Sequence, residues 1–351
     1  MSIKCGDVEF FAGPRDVGAP DDLKGAVIGF IDKAERKLDI AVQELQSKAI
    51  AEAIIRARQR RVAVRIVLEQ DYIRASRMKA DPFCAGGEDE ENRFFHDAFL
   101  RANIDVKVDY NIGIFHQKFM VRDDLAVLSG SANFTEEDMH RNLNHLILIN
   151  NVEVARIYSS EFKEIQMGRF GKQNEGHYAV PEEVLAGQVP LKILFAPDHN
   201  PEMEIMKQMM KAKKRIDFAI FTFAQSSGID DTMVKLMEFK MEVKGAFDGT
   251  QGGQTWSAIP NLLKHGAELY KVPAKDKLGK LHHKLMVLDD ELVISGSFNY
   301  TSDANCINDE NILILGDLDS RDKKQKEAQA QIGLFVRAEI ERIIKEHGKK
   351  F

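Results

Sequence analysis

The sequence has little of what staples small secreted proteins or anchors a chain in a membrane. Its three cysteines, Cys5, Cys84 and Cys306, are widely separated and form no Cys-x-x-Cys pair. This argues against a disulfide framework and a structural zinc site. No window approaches the roughly 18 uncharged apolar residues of a spanning helix, and nothing near Met1 resembles a signal peptide. These absences predict a cytoplasmic protein without a transmembrane anchor.

Positive charge does not dominate either. The chain has 49 Lys and Arg residues against 55 Asp and Glu residues, a formal net charge of −6. This balance excludes a protein that coats nucleic acid through its overall charge. The length of 351 residues and the hydrophobic fraction of 44% exclude a disordered chain and suggest two domains, each able to bury a core.

An internal repeat organises the sequence. Residues 116–135 (HQKFMVRDDLAVLSGSANFT) and residues 282–301 (HHKLMVLDDELVISGSFNYT) are identical at 12 of 20 positions, without a gap, at an offset of 166. Other segments recur in the same order, such as RKLDIAV at 36–42 and KRIDFAI at 214–220. Such self-similarity indicates the duplication of one structural unit.

Each half alternates helical and strand patterns, which predicts an α/β sandwich with a mixed sheet. We expect a first lobe at 1–167 and a second, similar lobe at 190–351 that ends in an amphipathic helix at 322–347. The polar, glycine-bearing stretch 168–189 is expected to be the linker. The first half carries about 16 extra residues within 71–94, directly after a strand. They are either a solvated surface loop or a lid or wall of a substrate cleft.

The repeated block carries a constellation suited to phosphate chemistry. The first copy supplies His116, Lys118, Asp123, Gly130, Ser131 and Asn133, and the second supplies His282, Lys284, Asp289, Gly296, Ser297 and Asn299. Imidazole exchanges protons near neutral pH, and a lysine two residues on lies on the same face of an extended segment. A small turn with hydroxyl and amide donors suits tetrahedral oxygens. Two such sets with identical spacing predict two histidines that flank one phosphate.

The block HxKxxxxD, followed by six residues and GSxN, resembles the HKD signature of the phospholipase D superfamily, and both copies match it completely. The resemblance covers nearly the whole chain. It implies two similar α/β/α sandwich lobes related by a pseudo-two-fold axis, with one active site at their interface. It also implies phosphodiester hydrolysis or exchange without a metal ion or another cofactor, through a phosphohistidine. One chain then holds one complete site, so a monomer suffices.

The resemblance assigns roles residue by residue. His116 and His282 are the nucleophile and acid pair, with His116 favoured as the nucleophile because the first-lobe histidine usually has that role. Lys118, Lys284, Asn133 and Asn299 bind the non-bridging oxygens, and Ser131 and Ser297 support the turn and contribute to substrate binding. Asp123 and Asp289 complete the motif as structural or orienting groups rather than proton carriers.

One position departs from the family pattern. Eleven residues past the motif asparagine, the family commonly has an acidic residue that hydrogen-bonds an active-site histidine. The second half has Glu310 there, and the first half has Asn144. An amide orients an imidazole but does not stabilise an imidazolium as a carboxylate does. The two histidines are therefore expected to differ in basicity, with the partner of Glu310 left open.

The sequence leaves the substrate between two classes. The motifs most resemble the bacterial endonuclease branch of the superfamily, and the lysine-rich segment 271–284, which includes Lys280, could track a phosphate backbone. A nucleic acid is therefore the expected substrate. The alternative is a phospholipid, hydrolysed by a phospholipase D or exchanged by a transphosphatidylase. A binding protein on a decayed enzyme scaffold is the third hypothesis, disfavoured because both motifs are intact.

Overall fold

Each half of the chain folds around one mixed β-sheet with the same strand order. The computed structural model describes residues 1–74, 76–173 and 182–351. The strands of the first half are β1 (Ile3–Cys5), β2 (Val8–Gly13), β3 (Lys37–Val42), β4 (Ala63–Leu68), β5 (Asp105–Val108), β6 (Lys118–Arg122), β7 (Ala126–Gly130) and β8 (Asn144–Ile149). Its helices are α1 (Leu23–Asp32), α2 (Lys48–Gln59), α3 (Glu90–Arg101), α4 (Glu136–His140) and α5 (Val152–Gln166).

The second half repeats this series of elements. Its strands are β9 (Glu182–Ala186), β10 (Val189–Ala196), β11 (Arg215–Ile220), β12 (Glu242–Asp248), β13 (Glu268–Val272), β14 (Lys284–Leu288), β15 (Leu292–Gly296), β16 (Glu310–Leu315) and β17 (Lys349–Lys350). Its helices are α6 (Pro201–Met209), α7 (Gly228–Glu238), α8 (Ile259–Lys264), α9 (Ser302–Cys306) and α10 (Lys323–His347).

The sheet topology confirms the duplication. The first sheet runs β1-β2-β8-β7-β6-β3-β4-β5, and the second runs β9-β10-β16-β15-β14-β11-β12-β13, with β17 added at its far edge. In each sheet three neighbouring strands are parallel, β3-β4-β5 and β11-β12-β13, and the remaining pairs are antiparallel. The predicted fold class, two similar α/β lobes with mixed sheets, is therefore confirmed.

Helices cover both faces of both sheets. One apolar core lies between the first sheet and α1, α2 and α3, and another lies between the second sheet and α6, α7 and α8. A third core contains residues of both halves, including the buried faces of α5 and α10. The inner strands are buried on both faces, which explains why LDIAV and IDFAI read as continuous apolar runs. The two lobes therefore share their central core.

The closing helix forms where the sequence predicts it. Helix α10 spans Lys323–His347 and begins at Asp322, whose side chain accepts hydrogen bonds from the backbone N–H groups of Lys324 and Gln325. Its apolar stripe, including Ile332 and Val336, is buried in the shared core.

The predicted linker at 168–189 is in part a piece of sheet. Residues 182–186 form β9, the edge strand of the second sheet, because they pair antiparallel with β10. Residues 174–181 lie outside the described residues. The division into lobes at 1–167 and 190–351 stays a prediction, and the second sheet begins before residue 190.

We predict that Gly296→Ala, at the first position of the second GSxN turn, destabilises the fold. Gly296 has φ 139°, and a Cβ there would collide with the backbone carbonyl of Asn311 on β16. The free energy of unfolding, measured by urea denaturation, should fall by roughly 3 kcal/mol or more. Gly29→Ala is the matched control, since Gly29 lies in α1 with no atom near its Cβ position, and it should stabilise by about 0.5–1 kcal/mol. Equal effects of both changes would contradict this account.

Candidate active site

The two halves meet at a cavity of about 370 Å³ that contains both motif histidines. His116 and His282 each lie just before a central strand, β6 and β14, and the side chains of both line the cavity. The wider lining is polar apart from Ile114 and Phe221. The structure therefore brings together the two copies of the motif that are far apart in sequence.

Backbone hydrogen bonds between the lobes fix both histidines. The N–H of His116 donates to the carbonyl oxygen of Asp309 at 2.9 Å, and the N–H of His282 donates to that of Leu143, also at 2.9 Å. Both contacts link a residue before a central strand of one lobe to the residue that precedes Glu310 or Asn144 in the other. Each histidine is thereby held against the opposite lobe.

The same arrangement gives each imidazole a partner from the other lobe. His116 Nδ1 lies 2.7 Å from Glu310 Oε2, and His282 Nδ1 lies 3.0 Å from Asn144 Oδ1. Ser297 Oγ donates to Glu310 at 2.6 Å, and Ser131 Oγ donates to Asn144 at 2.8 Å. Glu310 therefore contacts His116, which the sequence left open.

Burial shapes the charge of these groups. It lowers the pKa of His116, with the ammonium groups of Lys118 and Lys284 adding to the effect, and it raises the pKa of Glu310 to about 8. These directions oppose a separated ion pair between His116 and Glu310, although the two atoms are within ion-pair distance. The short contact indicates a buried hydrogen bond in which the two groups share a proton. Burial and the same two lysines also lower the pKa of His282.

The two motif lysines lie beneath the histidines. Lys118 Nζ donates to Gln43 Oε1 and to the carbonyl oxygen of His116, both at 3.0 Å, and Lys284 Nζ donates to the carbonyl oxygen of His282 at 2.9 Å. Burial lowers the pKa of Lys118 to about 8, against the raising effect of Glu310. The pair supplies positive charge close to both imidazoles, as an anionic group bound between the histidines requires.

The motif asparagines reach the cavity, but other predicted residues do not. Asn133 and Asn299 line it, as does Lys280 at its mouth. Ser131, Ser297 and Asn144 do not line it. The hydroxyl groups are spent on Asn144 and Glu310, so these three residues orient the histidine partners rather than contact a ligand directly.

The motif aspartates Asp123 and Asp289 lie away from the cavity. Asp123 accepts hydrogen bonds from the backbone N–H groups of Glu35, Arg36 and Lys37. Asp289 does the same for residues 213–215. Each aspartate has positive φ, 56° and 53°, in the turn between two strands. They tie that turn to the start of β3 or β11, which corrects their inclusion among the residues that act at the site.

Sequence reasoning missed a carboxylate beside each histidine of the first-lobe wall. Asp138, on α4, is buried and has Oδ2 3.6 Å from His282 Nδ1, and Glu44, after β3, lines the cavity beside Asn133. The expectation that only His116 has an acidic neighbour is thus wrong, because α4 brings Asp138 to His282. A position-by-position comparison of the two halves could have found it, since the repeat places Ala304 opposite Asp138.

Aromatic groups also close the cavity. The Phe221 ring contacts His282 edge-on, with 4.9 Å between ring centroids, and Lys284 Nζ lies 5.2 Å from the Phe221 centroid. Tyr72, within the extra residues of 71–94, lines the opposite side. The insertion therefore forms part of the cleft wall at its start, whereas residues 76–88 are largely exposed and residue 75 lies outside the described residues.

The described ranges contain no group of three or more His, Cys, Asp or Glu side chains arranged to hold a metal ion. Over the same ranges, no helix combines the length and apolar character needed to cross a membrane.

Comparison with known proteins is consistent with this architecture. The family model described as "Cardiolipin synthase, PLD-like domain" matches residues 27–166 and 205–332, more than half of the chain. The solved structure of phosphatidylserine synthase from Haemophilus influenzae Rd KW20 superposes with a TM-score of 0.68 at 15% identity, covering 100% of this chain and 89% of that one. At this identity the likeness concerns the fold alone.

Two relatives match over shorter stretches. A mitochondrial cardiolipin hydrolase of Xenopus laevis is 26% identical over 132 residues, 38% of this chain and 55% of that protein. A phospholipase D of Rickettsia conorii is 32% identical over 128 residues, 36% of this chain and 56% of that protein. The chain thus spans about half the length of the curated relatives it matches.

We predict that Asp123→Asn lowers stability at neutral pH. Burial would raise the pKa of Asp123, but the backbone donors of Lys37, Glu35 and Arg36 outweigh it and hold that pKa below its usual value. Because the folded-state pKa is depressed, the contribution of the carboxylate is present above the unfolded pKa of about 4 and disappears as pH falls through the folded value. Urea unfolding should show a loss of about 1–3 kcal/mol at pH 7 that shrinks below about pH 4.

Asp276→Asn is the control for this change. Asp276 also has positive φ, 52°, but its side chain is 80% exposed, so the substitution should leave the unfolding free energy nearly unchanged. A pH-independent loss in Asp123→Asn would contradict the role assigned to its charge.

Proposed function

The chain belongs to the phospholipase D superfamily, and from this premise we propose that it is a phosphodiesterase that works through a covalent phosphohistidine and cleaves nucleic acid. The observation that carries the choice of substrate is a polar cavity that opens beside unpaired lysines. Lys280 lines the cavity, and Lys277 is exposed on the same segment. Neither forms an ion pair with any residue of the described ranges. A polyanionic backbone would find free positive charge at the entrance to the site.

The chemical step divides between the two histidines. His116 Nε2 attacks phosphorus, so a P–N bond forms and the bond to the leaving oxygen breaks, while His282 protonates that oxygen. Water then attacks phosphorus, His282 takes its proton, and the P–N bond breaks. The contact between Glu310 and His116 supports this assignment, because a carboxylate at Nδ1 stabilises the positive charge that develops when Nε2 bonds to phosphorus.

The remaining motif residues stabilise charge during both steps. The ammonium groups of Lys118 and Lys284 lie under the histidines, and the amides of Asn133 and Asn299 face the same cavity. These groups are suited to bind the non-bridging oxygens of a phosphodiester without moving during the reaction. Ser131, Ser297 and Asn144 act in this proposal by positioning, since each supports a histidine partner or a histidine.

A phospholipid is the second candidate substrate, and one observation favours it. Ile112 is fully exposed and Ile114 is partly exposed at the cavity rim, opposite the lysine segment, and an apolar rim could touch a lipid surface. Two of the relatives are also named for lipid substrates. The cavity lining itself is polar, so we rank this candidate below nucleic acid.

The assignment of His116 as the nucleophile can be tested with bis(p-nitrophenyl) phosphate. Because p-nitrophenol leaves without protonation, His282→Ala should still form the phosphohistidine but fail to activate water. Stopped-flow absorbance should then show a burst of about one equivalent of p-nitrophenol per enzyme, followed by turnover reduced about 100-fold or more. His116→Ala should show no burst. The reverse pattern would make His282 the nucleophile.

The choice of substrate can be tested in EDTA with single-stranded DNA, double-stranded DNA, RNA and vesicles of phosphatidylcholine or cardiolipin. We expect cleavage of a nucleic acid that disappears in both histidine variants. Lys275→Ala/Lys277→Ala should weaken nucleic-acid binding and reduce the salt dependence by about 0.7–0.9 log units per lost phosphate contact, while bis(p-nitrophenyl) phosphate hydrolysis is unchanged.

Lys264→Ala, on the outer helix α8, is the matched control for charge and should alter neither property. Release of lipid head groups with nucleic acids left intact would replace nucleic acid by phospholipid as the substrate. Metal-dependent cleavage that survives both histidine changes would overturn the proposed mechanism itself.

A further inference from the structure

One wall of the cavity is lined by hydrogen-bond acceptors, and it belongs to the first lobe. This acceptor wall consists of Glu44, Asn133, Asp138 and Asn142, all of which line the cavity. Glu44 follows β3, whereas the other three lie in or beside the first GSxN turn and α4. Their side chains present carboxylate and amide oxygens toward the space between the two histidines.

The second lobe lacks the carboxylates of this wall. The repeat places Thr222 opposite Glu44 and Ala304 opposite Asp138, whereas the two asparagines are matched by Asn299 and Asn308. Both Thr222 and Asn308 line the cavity, so the comparison concerns residues at equivalent places. The carboxylates are therefore not part of the duplicated phosphate-binding set and distinguish one side of the cavity from the other.

The acceptors of this wall exceed the donors around them. Asn142 is 4% exposed and donates Nδ2 to Asp138 at 2.6 Å, while its Oδ1 has no hydrogen-bond partner within the described residues. Asn133 likewise donates Nδ2 to Glu44 at 3.4 Å and has an unpartnered Oδ1. Glu44 forms no ion pair with a Lys or Arg of the described ranges. Buried acceptors without donors are costly, so a ligand that supplies donors would be favoured here.

The position of Glu44 also matters electrostatically. A carboxylate beside the site of an anionic phosphodiester repels it unless a donor or a cation lies between them. Burial and the nearby charge of Asp138 raise the pKa of Glu44 to about 7, which is the response of a carboxyl group that lacks a compensating partner. A donor on the substrate would both satisfy the wall and remove this repulsion.

We propose that the acceptor wall binds a hydrogen-bond donor, a hydroxyl or an ammonium group, on an alcohol esterified to the phosphate, and that Glu44 determines this specificity. The proposal rests on the phosphodiesterase function in one respect, that the phosphate occupies the space between the histidines. A nucleotide would supply the donor from its sugar or base, and a phospholipid from an amino or hydroxyl head group. Both sources share the same donor chemistry.

Titration calorimetry with phosphate monoesters tests the proposal without turnover. The ligands are ethyl phosphate, which has no donor on its alcohol, glycerol phosphate, phosphoethanolamine, phosphocholine, which is cationic but has no N–H, and a nucleoside monophosphate. The protein should bind donor-bearing esters about tenfold more tightly than ethyl phosphate. Tightest binding of the nucleoside monophosphate identifies a nucleotide as the source, and tightest binding of phosphoethanolamine identifies a head group.

Two substitutions locate the effect at Glu44. Glu44→Ala should reduce the preference for donor-bearing esters to about twofold or less, while ethyl phosphate binds at least as tightly as before. Glu44→Gln, which is nearly isosteric and retains a neutral acceptor, should lose the preference for phosphoethanolamine but keep that for hydroxyl esters. Glu137→Ala is the matched control, because Glu137 also lines the cavity but is held by Arg141 at 3.0 Å, and it should keep the full preference.

Several results would overturn the proposal. Equal binding of ethyl phosphate and the donor-bearing esters would do so, as would phosphocholine binding as tightly as phosphoethanolamine, since charge rather than a donor would then be recognised. An unchanged preference in Glu44→Ala would remove Glu44 from the site. Loss of hydrolysis with the donor preference intact would instead count against the phosphodiesterase function, so the two failures are distinguishable.

Discussion

The reciprocal contact between the two lobes is the constraint on which the site depends. Each histidine donates its backbone N–H to the opposite lobe, and the next residue along that opposite segment, Glu310 or Asn144, contacts its imidazole. Neither lobe therefore contains a complete arrangement. Because the central apolar core also contains residues of both halves, separating the lobes would expose that core and dismantle both histidine pairs at once.

Duplication explains the symmetry of this arrangement, and divergence explains how the two sides could perform different tasks. The scaffold is retained in strand order, in the GSxN turns and in the aspartates that tie each turn to a neighbouring strand. The side chains around the imidazoles differ: His116 has a carboxylate at Nδ1, whereas His282 has an amide at Nδ1, a carboxylate 3.6 Å away and an aromatic edge. A two-step reaction needs one nucleophile and one acid, so such asymmetry on a symmetric frame is physically appropriate.

The sequence predicted what the repeat encodes and missed what only one half contains. Fold class, histidines, lysines and asparagines all follow from paired motifs, and the structure brings those side chains to one place. Asp123 and Asp289 were grouped with them by spacing alone, but a turn with positive φ directs each carboxylate at backbone N–H groups instead. Asp138 and Glu44 have no counterpart in the other half, and their approach to the cavity depends on tertiary packing of α4 and β3 that local patterns do not encode.

The negative net charge acquires a different meaning once charges are placed. Two lysines are buried beneath the histidines, where burial opposes their charge, and the carboxylates of Glu310, Asp138 and Glu44 raise the pKa of Lys118 in partial compensation. These acidic residues are therefore part of what keeps positive charge at the phosphate site, since an ammonium group is retained in a buried place only with anions nearby. A more positive protein would not by itself have a better site. The balance of charges within a few ångströms of the imidazoles, rather than the total of −6, decides whether an anion is bound there.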